Sequence, residues 1–242
     1  DLTFRVPSAF AFLTEEEQAL VLRRAHTRQP SAVIGLGTDL DVRGDGDRFR
    51  AAHPELGDRP YLLYVGRLDP GKGSDELYDF FVTYKARRGG PLVLVVVGDP
   101  VKPLAPRPDV LTTGWVGEDE KVDAIAGCDA FVMPSYFESF SLVLVEAWAQ
   151  RRAALVNGRC EVLLGQARRS GGALPYRGYA EFEAALDLLM PDAELRRALG
   201  ERGRAYVERR YRWDDVLAHA ERLFATAVHR QRQPVPAIGW RR

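Results

Sequence analysis

A glycine-rich segment that carries two cations is the first part of the sequence with evident chemistry. Residues 66–73 read GRLDPGKG and follow directly on a run of apolar residues. Glycines allow a backbone to approach a ligand closely, and Arg67 and Lys72 add positive charge beside it. Gly66 opens the segment at the point where the apolar run ends. This combination predicts a site that binds phosphate groups.

The same segment leaves two other interpretations open. Its spacing satisfies the Walker A pattern as far as Lys72, and Asp99, at the end of a later apolar run, could be the acid that holds magnesium. Gly73, however, stands where that pattern requires a hydroxyl side chain, and Ser74 comes one residue late. A P-loop nucleoside triphosphatase is therefore one alternative. A plain glycine turn with two solvated cations is the other.

A second segment with chemical potential, residues 134–146, reads PSYFESFSLVLVE. Glu138 stands just before a predicted helix, and Glu146 lies eight residues, or about two helical turns, further on. The first turn of that helix leaves N–H groups near Ser141 without intrahelical partners, and these attract anions. Carboxylates repel phosphate but are good acceptors for sugar hydroxyls. The two features together predict a nucleotide-sugar site, and the alternative is an ordinary first-turn acid with an exposed polar face.

Short apolar runs alternate with helical stretches through most of the chain. The predicted strands are residues 61–65, 92–97, 110–113, 130–133 and 153–156. Runs that are apolar on both faces are typical of buried parallel strands. The predicted helices are residues 75–87, 119–126, 142–150, 179–190, 193–208 and 213–228. This alternation predicts an α/β fold with a doubly wound, Rossmann-like parallel sheet, which binds ligands at the carboxyl ends of its strands.

The N-terminal part of the chain has a different pattern. Residues 14–28 read as a helix, because Thr14 and Glu17 form a capping-box pattern ahead of apolar residues. Residues 39–58 are rich in Asp, Gly and Arg, which predicts a linker or an exposed loop. The basic residues 229–242 predict a flexible tail. Since the chain starts at Asp1 and has internal methionines only, we expect a piece of a longer protein.

The composition excludes several classes of protein. Thirty-four basic and thirty-four acidic residues give a formal charge of zero, and 46% of the residues are hydrophobic. Such a globular composition gives no whole-surface charge for binding nucleic acid or anionic membranes. No apolar run approaches the roughly 18 residues of a membrane span.

Cys128 and Cys160 suit buried thiols in a reducing compartment, which predicts a cytoplasmic protein. The acidic strings at residues 39–41 and 45–47 lack the spacing of a calcium loop, so no metal site is expected.

Taken in order, these motifs resemble the retaining glycosyltransferases of family 4, which have the GT-B fold. The resemblance rests on strand-Gly-Arg followed by Lys-Gly, and on Pro-Ser followed by two glutamates with seven residues between them. It covers about residues 61–228 and includes residues 114–116 (GWV), 128–130 (CDA) and 210–213 (RYRW), while residues 33–39 resemble the family's interdomain connection. It implies the C-terminal half of a GT-B enzyme. Residues 1–57 would be the end of the acceptor domain with the linker, and residues 58–228 the nucleotide-sugar donor domain.

The resemblance also implies roles for individual residues. Arg67 and Lys72 would grip the donor diphosphate next to Gly66, and Glu138 would hold hydroxyls of the transferred sugar, which makes these three side chains the implied catalytic groups. The implied donor-binding groups are the backbone of Ser139, Phe140 and Ser141 at the sugar, the amides of Leu142 and Val143 at the phosphates, Glu146 at the ribose, and the backbone of Trp115 and Val116 at the base. Relatives often have glycine where this chain has Ser139 and Ser141.

The implied reaction is transfer of the sugar with retention at its anomeric carbon. It uses a nucleoside-diphosphate sugar as donor and requires no cofactor or metal, and the missing N-terminal domain would bind the acceptor, whether glycan, lipid or small molecule. The isolated chain is expected to bind donor weakly and transfer little. The location implied is the cytoplasm, with peripheral membrane contact as a further option for the full-length protein. The triphosphatase and a nonenzymatic nucleotide sensor stay as alternatives, which magnesium dependence and activity with a restored acceptor domain would distinguish.

Overall fold

A large and a small parallel sheet organise the described part of the chain. The computed structural model describes residues 4, 6–25, 29–99 and 105–231. The strands are β1 (Phe10–Phe12), β2 (Ser31–Val33), β3 (Tyr61–Val65), β4 (Val93–Val97), β5 (Val110–Gly114), β6 (Ala130–Met133), β7 (Ala154–Asn157) and β8 (Ala173–Tyr176). The helices are α1 (Glu15–Ala25), α2 (Gly46–Ala52), α3 (Ser74–Arg88), α4 (Glu118–Gly127), α5 (Leu142–Ala149), α6 (Glu161–Ser170), α7 (Tyr179–Leu189), α8 (Ala193–Arg210) and α9 (Trp213–Gln231).

The order of strands in the large sheet fixes where a ligand can bind. Strands β1 and β2 pair with each other, and the other six form one sheet in the order β5-β4-β3-β6-β7-β8. All of its neighbouring strands are parallel. The chain moves outward from β3 through β4 and β5 and then continues on the other side of β3, so the direction of winding reverses between β3 and β6. The predicted doubly wound, Rossmann-like sheet is confirmed, and its ligand crevice lies beyond the carboxyl ends of these two strands.

The central strand β3 divides the core into two layers. Tyr61, Leu63 and Val65 pack into one cluster of buried side chains, whereas Leu62 and Tyr64 pack into the other. This alternation follows from the two-residue period of a strand. Helices cover both faces of the sheet, which is why the strands are continuous apolar runs. Both cysteines are free and buried, as the sequence predicts.

Most element boundaries agree with the predictions. Strands β3 and β6 begin and end at the predicted residues, and the other three predicted strands differ by one residue at one or both ends. The six helices predicted after residue 70 agree within three residues at each end. Strands β1, β2 and β8 and helix α6 were not predicted. Strand β8 contains Pro175 and lies at the sheet edge, which weakens its strand pattern. Helix α6 is short and contains Gly165, which lowers its helix propensity.

The prediction of a linker or loop for residues 39–58 was wrong in part. These residues contain α2 and a 3₁₀ turn at Pro54–Leu56. The Asp45 carboxylate accepts hydrogen bonds from two amides of the first turn of α2, and Phe49 is buried. Helix α2 packs against α4. A short helix with one buried apolar residue is stabilised by its cap and its tertiary contacts, so its sequence carries little helical pattern.

Both ends of the chain extend beyond the described residues. Helix α1 ends at Ala25, and residues 26–28 of the predicted first helix lie outside the described residues. Helix α9 continues through Gln231, so the predicted tail is helical where it starts at His229, while residues 232–242 also lie outside the description. The division of the chain at residue 58 stays a prediction. Within the described ranges, no helix combines the length and the apolar character needed to cross a membrane.

Candidate functional site

An ion pair joins the two segments that the sequence singles out. The Nζ atom of Lys72, in the loop after β3, lies 3.0 Å from Oε1 of Glu138, in the loop after β6. The lysine side chain is 43% exposed and the glutamate side chain 12% exposed, so the pair lies at the wall of an open crevice. This crevice is the one at which the winding of the sheet reverses.

Two loop backbones approach each other closely beneath this ion pair. Gly73 has a φ of +68°, and a Cβ atom there would lie 2.3 Å from the carbonyl oxygen of Pro134. Only glycine fits such a contact, and its absent side chain lets the β3 and β6 loops meet. A Walker A hydroxyl at position 73 is therefore sterically excluded, which removes the main structural basis for the triphosphatase alternative.

Hydrogen bonds hold the loop after β3 in place. The Lys72 amide donates to the Asp69 carbonyl at 2.8 Å, and the Tyr64 hydroxyl donates to the Arg67 carbonyl at 2.9 Å. Desolvation raises the pKa of Tyr64, so its hydroxyl stays protonated as a donor. The Arg67 side chain is exposed and lies 3.0 Å from an Asp69 carboxylate oxygen. A fixed backbone thus presents one partly buried cation and one exposed cation to the crevice.

The loop after β6 leads directly into the start of α5. Asn157 is buried and donates to the Pro134 carbonyl at 2.9 Å, which fixes the beginning of this loop. Ser141 has a left-handed backbone with a φ of 67°, and α5 starts at the next residue. Val145 donates the first bond of the helix, to the Ser141 carbonyl, so the amides of Leu142 and Val143 precede the bonded turns. These amides and the helix dipole favour an anion next to Lys72.

A lysine that sequence reasoning missed holds Glu146. The Nζ atom of Lys121, on α4, lies 3.1 Å and 2.9 Å from the two carboxylate oxygens of Glu146, and 2.7 Å from a carboxylate oxygen of Glu118. Desolvation lowers the pKa of Lys121, but its hydrogen bonds to the two glutamates outweigh this effect and raise it. The Glu118–Lys121 spacing is visible in the sequence, whereas the contact with Glu146 depends on the fold.

A cavity of about 310 Å³ extends the crevice on the β4 side. Its walls are Val65, Gly66, Arg67, Val97, Gly98, Asp99, Trp115, Val116 and Lys121. Trp115 is 79% exposed at the rim, and its amide donates to the Asp99 carboxylate at 3.1 Å. Asp99, the acid of the triphosphatase alternative, therefore fixes the backbone of the strand β5 loop. An apolar slot with a few polar groups suits a flat heterocycle.

The sequence-predicted site residues meet at one edge of the sheet. Lys72 contacts Glu138, while Arg67, Trp115 and Val116 line one cavity with Lys121, which in turn contacts Glu146. The predicted backbone groups of residues 139–143 lie in the loop and first turn beside Glu138. In the described ranges, no group of three or more His, Cys, Asp and Glu residues is arranged to hold a metal ion. Cationic side chains and amides are the positive groups at this edge.

This α/β sheet, with its cationic and acidic loops at the switch point, defines a domain of the GT-B glycosyltransferase type. The chain belongs to the family described as Glycosyl transferases group 1, whose model matches residues 45–206. The solved structure of HepE from Anabaena in complex with UDP-glucose has the same fold, with a TM-score of 0.76 at 16% identity over 94% of this chain and 65% of that one.

Curated relatives carry glycosyltransferase names. A D-inositol 3-phosphate glycosyltransferase of Nocardia farcinica is 32% identical over 216 residues, which are 79% of this chain and 47% of the relative. A GDP-mannose-dependent alpha-(1-6)-phosphatidylinositol monomannoside mannosyltransferase of Mycobacterium tuberculosis is 29% identical over 72% of this chain and 52% of its own length. The chain spans about half the length of these relatives.

Proposed function

We propose that this chain is the donor-binding part of a retaining glycosyltransferase of family 4 that uses a nucleoside-diphosphate sugar. The observation that carries the proposal is the Lys72–Glu138 contact of 3.0 Å at the switch point, beside the start of α5. A cation, a carboxylate and free helix amides at one point suit a diphosphate joined to a sugar. The family and the relatives' names support the same class of activity.

The proposed mechanism depends on charge that develops on the leaving group. As the bond from the anomeric carbon to the phosphate oxygen breaks, negative charge accumulates on the nucleoside diphosphate. Lys72 and Arg67, together with the first amides of α5, would interact more strongly with that charge than with the intact donor, and this lowers the barrier. Glu138 would accept hydrogen bonds from sugar hydroxyls. The acceptor hydroxyl would attack the anomeric carbon from the face that the diphosphate leaves and give its proton to the departing phosphate oxygen, which retains the configuration.

The nucleoside would occupy the opposite end of the crevice. Glu146 is held by Lys121 and would accept hydrogen bonds from the ribose hydroxyls, and the cavity beside Trp115 and Val116 would take the base. Since cationic side chains and amides supply the positive charge, we propose that binding needs no metal. The remaining expectations also stay proposals: residues 1–57 as the end of the acceptor domain with the linker, a basic tail, and a cytoplasmic or membrane-peripheral location.

A binding panel tests the proposal on the 242-residue chain. UDP, GDP, UDP-glucose, GDP-mannose and ATP would each be titrated by calorimetry, once in EDTA and once in magnesium. We expect metal-independent binding of one diphosphate and of its sugar conjugate, because the relatives include a GDP-mannose-dependent enzyme and the solved neighbour holds UDP-glucose. Magnesium-dependent preference for ATP, or no binding of any diphosphate, would contradict the proposal. Transfer activity after the acceptor half is restored separates an enzyme from a nucleotide sensor.

A further inference from the structure

Two buried side chains from different parts of the chain hold consecutive carbonyls of the loop after β6. The Thr14 hydroxyl, from the turn between β1 and α1, donates to the Ser139 carbonyl at 3.2 Å. The Gln166 side-chain amide, from α6, donates to the Phe140 carbonyl at 2.6 Å. Both Thr14 and Gln166 have 0% of their surface exposed. Neither residue belongs to the site described above.

The geometry of the peptide bond gives these contacts a consequence. In a planar trans peptide the C=O group and the following N–H group point in opposite directions. A Ser139 carbonyl that is turned inward toward Thr14 therefore turns the Phe140 amide outward, and a Phe140 carbonyl that is turned toward Gln166 does the same for the Ser141 amide. Among the described residues neither amide has a hydrogen-bond partner. The loop thus presents two unpaired donors next to Glu138.

Surrounding contacts keep this arrangement rigid. The Phe140 ring is buried and packs edge-on against Tyr211, with 5.0 Å between the ring centroids. The Thr14 hydroxyl also accepts the Glu17 amide at 3.3 Å, and Arg169 of α6 donates to the Glu16 carboxylate at 3.0 Å. Helix α1 and the residues before it are therefore tied to α6, the helix that carries Gln166.

We infer that Thr14 and Gln166 are positioning residues, which aim the Phe140 and Ser141 amides at the sugar and the sugar-linked phosphate of the donor. The inference rests on the proposed function. It also makes the N-terminal segment part of the donor site, because Thr14 lies 125 residues before Ser139. A displacement of the β1–α1 turn would rotate the Ser139 peptide and with it the Phe140 amide.

The test compares Thr14→Val, which keeps the shape but removes the hydroxyl, with Thr14→Ser, which keeps the donor. Titrations of the 242-residue chain would use UDP-glucose and GDP-mannose. UMP and GMP would serve as ligands that lack both the transferred sugar and the phosphate linked to it. For the sugar nucleotide that the wild type binds, we expect Thr14→Val to weaken binding about fivefold to tenfold, the worth of one hydrogen bond. Thr14→Ser should restore affinity to within about twofold, and Gln166→Met should behave like Thr14→Val.

A matched control separates positioning from loss of helix stability. Glu17→Ala breaks the same helix cap from its other side, because the Glu17 carboxylate accepts the Leu13 amide at 2.7 Å, yet it leaves the bond from Thr14 to Ser139 in place. We expect Glu17→Ala to lower Tm without lowering the affinity for the sugar nucleotide. Three results would each overturn the positioning inference while leaving the proposed function intact. They are an equal loss of affinity for the mononucleotide and the sugar nucleotide, an unchanged affinity in Thr14→Val, and the same selective loss in Glu17→Ala. A wild-type chain that binds no nucleotide would overturn the proposed function as well.

Discussion

Lys72 and Glu138 are 66 residues apart in the chain, yet Nζ of the lysine lies 3.0 Å from Oε1 of the glutamate. The contact solves an electrostatic difficulty of the proposed site, because a carboxylate next to a diphosphate would repel it. With Lys72 placed between the Glu138 carboxylate and a bound diphosphate, the carboxylate would accept hydrogen bonds from a sugar while the same cation attracts the phosphates. In the proposed site the two side chains would therefore act as one unit.

The first prediction concerns Lys72→Ala in an active protein that includes the acceptor half. We expect kcat to fall by about 100- to 1000-fold, comparable with loss of one oxyanion donor. The variant loses both the proposed phosphate contact and the ion pair with Glu138. Steady-state kinetics at saturating donor would measure it. Arg87→Ala is the matched control, since Arg87 is a cation of α3 that pairs with Glu183 at 2.9 Å, away from the crevice. Near wild-type turnover in Lys72→Ala would refute this role.

The second prediction concerns the residue that orients Glu146. In Lys121→Met the Glu146 carboxylate loses the ammonium that contacts both of its oxygens, and we expect affinity for the nucleoside diphosphate to fall about tenfold. Glu118→Gln should change affinity less than twofold, because Glu118 is the exposed partner of the same lysine. Titration of UDP and GDP into both variants measures the difference. Equal losses in the two variants would contradict this role, because Glu118→Gln leaves the contact between Lys121 and Glu146 in place.

The third prediction concerns the close approach of the two loops. Gly73→Ser should lower the free energy of unfolding by about 2 kcal/mol or more, because its Cβ would lie 2.3 Å from the Pro134 carbonyl oxygen and its φ is +68°. Gly71→Ala is the control, since the nearest atom to its Cβ would be a carboxylate oxygen at 3.3 Å. Urea denaturation compares them. A stable Gly73→Ser variant that gained magnesium-dependent ATP binding would revive the triphosphatase alternative.

The sequence predicts the parts of the site that follow from local pattern. Strands β3 and β6 are apolar on both faces, so their ends are clear, and the rule that parallel strands bind ligands at their carboxyl ends brings Lys72 and Glu138 to one crevice. Helix α2 was not predicted, because it buries only Phe49 and so has no repeating apolar pattern. Its stability depends on a cap and on contacts with α4, which a periodicity argument does not detect.

Contacts between distant residues account for what sequence reasoning missed at the site. Lys121 reaches Glu146 across 25 residues, and Thr14 reaches Ser139 across 125. Each depends on the distance and angle between packed helices, and no spacing of residue types encodes that. Thr14 also has a sufficient local explanation as a helix cap, so its sequence context gives no sign of a second partner.

The last prediction uses acid to test how α2 is attached to α4. The Asp123 carboxylate is buried and accepts hydrogen bonds from the Arg48 guanidinium, one of them at 2.6 Å, and from the Asp45 amide at 2.7 Å. The Arg48 hydrogen bond is the main cause that lowers the pKa of Asp123. A carboxyl group whose pKa is lowered by folding contributes stability above its unfolded pKa of about 3.9, and that stability is lost as the pH falls through the folded value.

We therefore expect Asp123→Asn to be less stable than the wild type at pH 7 and to lose less stability between about pH 4 and pH 2, so that the two curves converge in acid. Urea denaturation across this range would measure the convergence. Asp119→Asn, an exposed carboxylate on the same helix, is the control and should follow the wild-type curve. If the curves of Asp123→Asn and the wild type stay parallel, the Arg48–Asp123 pair does not attach α2 to α4 in solution, and residues 39–58 act as the loose linker that their composition predicts.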